Sequence, residues 1–95
     1  MKSLSECRAE LDRIDREIVR LFEMRMGVSR EVAAYKIMNG LPVLDAAREE
    51  AVLASRAGML EDPYWAQSVR TLFGAVMAIS RAEQEKMLHA AKEEP

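Results

Sequence analysis

From Leu4 to Met38 the chain keeps one helical register. Leu4, Cys7, Leu11, Ile14, Ile18, Leu21, Phe22, Val28 and Val32 fall on one side of a helix, with no proline and a single glycine, Gly27, along the way. Gly27 costs about 1 kcal/mol relative to alanine, yet the period continues past it. The spacing therefore predicts one unbroken helix over 5–38, with Ser5 as its N-cap, Asn39-Gly40 as its left-handed stop and Pro42 barring any continuation. Such a rod is about 50 Å long at 1.5 Å per residue. A compact domain of 95 residues has a radius of gyration of only about 12 Å. One chain cannot cover that rod, so its apolar stripe calls for a partner, most simply a second copy related by two-fold symmetry.

The same stripe carries two cations. At 100° per residue, Ile14, Ile18, Leu21, Val28 and Val32 lie within roughly 60° of Arg25, and Lys36 within roughly 20°. An unpaired cation in an apolar setting costs several kcal/mol. Three arrangements relieve that cost: snorkelling to the surface, pairing with an internal carboxylate, or receiving an anionic ligand.

Composition narrows the partners. Fourteen basic and sixteen acidic residues are interspersed, giving a net charge of −2, so nothing resembles a basic footprint for nucleic acid or an anionic membrane. The longest apolar run, Gly74 to Ile79, is far short of a membrane span, and no apolar segment of signal-peptide type follows Lys2. A lone cysteine, Cys7, reads as a small buried hydrophobe in a reducing, cytoplasmic compartment. Ninety-five residues make a single domain over 1–95.

Two shorter helices follow. Asp45 is positioned to cap a helix over 45–57 that stops at Gly58, and Asp45, Arg48, Glu49 and Val52 share one of its faces. Asp62-Pro63 opens a third helix over 63–91, where Val69, Phe73, Val76 and Met87 lie within about 40° of Ser80, as does Gln84. Seven methionines, mostly at apolar positions, read as core filler, and His89 beside the charged tail as solvent-exposed.

Arg25 and Lys36 on the first helix, Asp45, Arg48 and Glu49 at the second, and Ser80 and Gln84 on the third are polar groups at inward or junction positions. If they converge, they line a cationic pocket suited to a small dianion that carries a hydroxyl. The sequence holds no HExxH, no Cys/His pair and no glycine-rich phosphate loop, so no metal or cofactor is expected.

Over nearly its whole length the chain resembles the all-helical chorismate mutases. Arg8, Asp15, Arg25, Val32 and Lys36, then Pro42-Val43, Asp45, Arg48 and Glu49, and finally Ser80 and Gln84 match that family's pattern in order and spacing. The resemblance implies an all-α fold with three helices per chain, one long and two shorter, intertwined as a six-helix homodimer with two active sites. It implies conversion of chorismate to prephenate on the route to phenylalanine and tyrosine, and leaves open a complex with another shikimate-pathway enzyme. By the same resemblance Arg8 from the partner chain, Arg25 and Lys36 would hold the two substrate carboxylates, with Arg48 and Ser80 supporting and Val32 on the wall. Glu49 and the backbone near Asp45 would receive the ring hydroxyl, Lys36 and Gln84 would address the ether oxygen, and Asp45 would orient Lys36.

Two other readings share parts of the pattern. An isochorismate–pyruvate lyase resembles this family in fold and binds a similar dianion, but its substrate carries the hydroxyl on a different ring carbon, and Asp45 and Glu49 follow the mutase pattern where that hydroxyl is read. A non-catalytic helical dimerisation module would use polar stripe residues to set register, which does not require seven of them able to meet in one cavity.

Overall fold

A computed structural model describes residues 1–93. Among them it has three α-helices and one short 3₁₀ turn: α1 at Leu4–Met38, α2 at Ala46–Ala57, the 3₁₀ turn at Pro63–Trp65 and α3 at Ala66–Glu93. α3 packs against both α1 and α2. The principal extents are 62 × 26 × 14 Å and the radius of gyration is 17.1 Å, well above the roughly 12 Å of a compact chain of this length. α1 is a rod that projects beyond what the other two helices cover.

The caps explain where the helices start and stop. Ser3, not Ser5, opens α1: its Oγ accepts the Glu6 backbone N–H at 3.1 Å and its hydroxyl donates to the Glu6 carboxylate at 3.2 Å. Glu6 stands three residues after Ser3, the spacing of a capping box, whereas Arg8 holds the equivalent place after Ser5. At the other end Gly40 has φ +64°, a left-handed conformation that glycine adopts without strain. The Leu41 N–H then reaches back to the Lys36 carbonyl at 2.8 Å and the Gly40 N–H to that of Ile37 at 3.4 Å, which closes a Schellman turn. That turn points residues 41–45 across the end of α1.

Asp45 is the N-cap of α2 and lies outside the helix proper, its carboxylate accepting the Arg48 N–H at 3.0 Å. Asp62 caps the next element by accepting the Tyr64 N–H at 3.0 Å. The Trp65 N–H bonds the Asp62 carbonyl at 3.3 Å, so the first turn after Pro63 is 3₁₀ and the α-helix begins at Ala66, later than its sequence signal at Pro63 suggests. α3 also runs two residues past 91, with Lys92 in its last turn, where a cation suits the helix dipole.

The core is small and sits at one end. Ala33, Val43, Val52 and Met77 are buried, together with the polar residues Ser29, Ser80 and Gln84. Every residue from 11 to 24 is exposed, and Leu11, Ile14, Ile18 and Leu21 are each about half exposed. Cys7 is exposed as well, contrary to the buried placement its stripe position suggests, because none of the described residues covers that part of α1. The methionines depart from their reading as core filler for the same reason: Met77 is buried, while Met1, Met24, Met38 and Met59 are exposed.

Candidate active site

Where α1, α2 and α3 meet, the chain encloses an open cleft of about 290 Å³. Its wall contains Arg25, Val32 and Lys36 from α1, Asp45, Arg48 and Glu49 from the start of α2, and Ser80 and Gln84 from α3. Buried Val43, Val52 and Met77 form the apolar part of the same wall. Of the site candidates in the sequence, only Arg8 lies elsewhere, exposed in the N-terminal half of α1. It is 28 residues from Lys36, about 42 Å along a helix.

Each polar side chain has a local reason for its position. Arg25 donates through Nη1 to the Ser80 Oγ at 3.4 Å, and Ser80 in turn faces the Met26 sulfur at 3.5 Å. Burial, then repulsion from Arg56 and Arg48, holds the Arg25 guanidinium below its ordinary pKa. Among the described residues no carboxylate pairs with Arg25 or with Lys36. Of the three ways to relieve these cations, internal pairing is therefore the one the chain does not use. Lys36 donates to the Val43 carbonyl at 2.8 Å, a contact made possible by the Schellman turn that brings residue 43 back over the helix end. The expected contact of Asp45 with Lys36 is not made: the Asp45 carboxylate caps α2 and forms no ion pair with Lys36.

Gln84 is anchored from α1. Its Nε2 donates to the Ser29 carbonyl at 3.1 Å and to the Ser29 Oγ at 2.9 Å. Both contacts hold the amide against α1 at the wall of the cleft. Ser29 itself lines the cleft and is buried. It lies 40° from Arg25 on the helical wheel, so its position on the stripe was available as a signal, but a small hydroxyl there reads equally well as packing.

Arg81 also escapes a reading from sequence. It stands 100° from Ser80 on its helix, where a cation reads as solvated surface. In the structure it lines the cleft, and its Nη1 lies 2.6 Å from both oxygens of Glu49.

A family model described as chorismate mutase type II matches residues 7–85. The T-protein of Haemophilus influenzae is 38% identical over 56 residues. That alignment spans 59% of this chain and 15% of the T-protein, so the chain corresponds to a small part of that relative. No solved structure matches significantly.

Proposed function

Because the chain belongs to the chorismate mutase type II family, a family of isomerases, we propose that it rearranges chorismate to prephenate at the cleft between its three helices. The observation that carries this reading is the pair of cations, Arg25 and Lys36, that no carboxylate pairs among the described residues, in a cleft that also holds Arg48. A ligand with two carboxylates supplies the negative charge these side chains lack within the chain.

The rearrangement is a one-step pericyclic reaction in which the ether C–O bond breaks as a C–C bond forms. It needs no nucleophile and no proton transfer, so the protein has two tasks. The first is to hold the folded diaxial conformer, and Arg25, Lys36 and Arg48 do so through the carboxylates, with Ser80 adding a hydroxyl. The second is to stabilise negative charge growing on the ether oxygen, for which Lys36 supplies a cation and Gln84 a neutral donor held by Ser29. Glu49 and the backbone at Asp45 receive the ring hydroxyl, and Val32 packs beside the ring.

The working unit is a homodimer, in which Arg8 from the partner chain completes each cleft. Supporting this are the exposed apolar stripe of α1 and the 42 Å that separates Arg8 from Lys36 along one helix. The lyase reading shares the dianion but reads its hydroxyl elsewhere on the ring. Incubating the purified protein with chorismate and with isochorismate separates the two. Prephenate from chorismate is the expected product, and pyruvate release from isochorismate without chorismate turnover would overturn the proposal.

A further inference from the structure

A cleft that receives a dianion has a difficulty in Glu49. Glu49 lines the cleft, and a third negative charge there is repelled by the two of the ligand. A carboxylate displaced by that repulsion loses its value as a fixed acceptor for a hydroxyl. The chain answers this from α3, where the Arg81 Nη1 sits 2.6 Å from both Glu49 oxygens.

This contact differs from an ordinary surface ion pair. Exposed pairs contribute little because water screens them, but the Arg81 and Glu49 side chains are only 35% and 28% exposed. Both also line the cleft, so a bound ligand would remove part of the remaining water and strengthen the attraction. A carboxylate has about four lone-pair sites, and one nitrogen bridging its two oxygens leaves others free for a hydroxyl donor.

The charge count agrees. Arg25, Lys36, Arg48 and Arg81 face Asp45 and Glu49 across the cleft, four cations against two carboxylates, which leaves two positive charges from this chain. Without Arg81 one would remain. Arg70 and Lys86, by contrast, pair with Glu50 and Glu83, which do not line the cleft.

We propose that Arg81 is a positioning residue that sets substrate discrimination: it holds the Glu49 carboxylate in place against the ligand's repulsion, so that the cleft reads the ring hydroxyl while accepting a dianion. This rests on the chorismate mutase reading and adds a residue to it. It makes Arg81 matter most for a substrate that has the hydroxyl and little for one that lacks it.

The test compares wild type, Arg81→Gln, Arg81→Lys, Glu49→Gln and the Arg81→Gln/Glu49→Gln double variant on chorismate and on its analogue with hydrogen in place of the ring hydroxyl. Arg81→Gln should raise KM for chorismate about tenfold with a smaller change in kcat, and leave the deoxy analogue within about twofold. Arg81→Lys should recover most of the loss, and the double variant should be no worse than Glu49→Gln. Equal losses on both substrates, or additive losses in the double variant, would overturn the proposal by making Arg81 a direct carboxylate ligand or a helix clamp. A wild-type protein that turns over neither substrate would instead overturn the mutase reading, and this inference with it.

Discussion

From Arg25 onward α1 gives Arg25, Val28, Ser29, Val32 and Lys36 to the cleft wall, whereas residues 11–24 of the same helix carry apolar side chains into the open. Both halves follow one hydrophobic period, and no break in the sequence separates them. The difference lies in what covers them. Ser29 and Ala33 are the buried residues of α1, and the hydrogen bonds joining α1 to α3 are donated by Arg25 to Ser80 and accepted by Met26 and Ser29. The C-terminal half is thus partly covered by its own chain, and the N-terminal half is a surface suited to a second copy. Periodicity reports that a face is apolar; it carries no information about which chain buries it.

The most damaging way to break this contrast is a charge on the uncovered half. Ile18→Asp places a carboxylate where the homodimer reading needs an apolar contact, at a cost of several kcal/mol if the site is buried between copies. Size-exclusion chromatography should then find monomer or unfolded chain, with kcat/KM for chorismate reduced at least about 100-fold. Arg16→Gln, 180° around the helix from Arg25, should leave assembly and activity unchanged. If α1 worked as a free rod, neither substitution would alter assembly.

Within the covered half, Gln84→Glu probes the donor to the ether oxygen with almost no change in shape. The wild-type rate should be nearly flat through neutral pH, because no group in the mechanism has to titrate. In the variant the introduced carboxyl can still donate while protonated, whereas its ionised form repels the developing charge. Activity should therefore be present in acid and lost as pH rises through the pKa of the new side chain. At pH 8 the loss should reach about 100-fold, the scale of removing one transition-state donor. Burial raises that pKa and Lys36 lowers it from about 4.3, so the sign of the profile is the test. A flat profile at wild-type activity up to pH 8 would remove Gln84 from the mechanism.

Arg25→Ala separates ligand binding from folding. The folded environment disfavours the Arg25 cation through burial and through Arg56 and Arg48, and the guanidinium stays charged throughout the neutral range. Its charge therefore costs stability at every pH near neutral and is not switched by pH. Alanine should lower kcat/KM at least about tenfold while Tm stays level or rises. A fall in both together would make Arg25 a structural contact.

Gly27→Ala has the smallest expected effect and examines the point where the two halves of α1 meet. A Cβ there would meet nothing within 4 Å in this chain, and alanine favours a helix by about 1 kcal/mol over glycine. Tm should rise by a few degrees with activity unchanged. A fall in Tm would indicate a partner backbone packed against Gly27.

Much of this arrangement is legible in the sequence, for reasons specific to each part. The three helices follow from apolar spacing, the Asp45 and Asp62 caps and the Asn39-Gly40 stop. Arg25, Lys36, Ser80 and Gln84 stand out because they interrupt apolar stripes. Ser29 does not, since a serine on a stripe is compatible with packing alone. Arg81 is invisible because its meaning depends on Glu49, 32 residues away on another helix. The bond from Lys36 to Val43 is equally hidden, because it depends on the path of the Schellman turn.

The central claim is that the two halves of α1 serve clefts in different copies of the chain, and subunit mixing tests it most directly. Arg8→Ala and Lys36→Ala should each be inactive as homodimers. In their heterodimer one cleft combines Lys36 from the first chain with Arg8 from the second and is intact, while the other lacks both. After equal mixing and full subunit exchange, verified by native mass spectrometry, half the dimers are mixed and about a quarter of wild-type activity should return. A mixture that exchanges subunits yet stays as inactive as its two components would contradict the shared site.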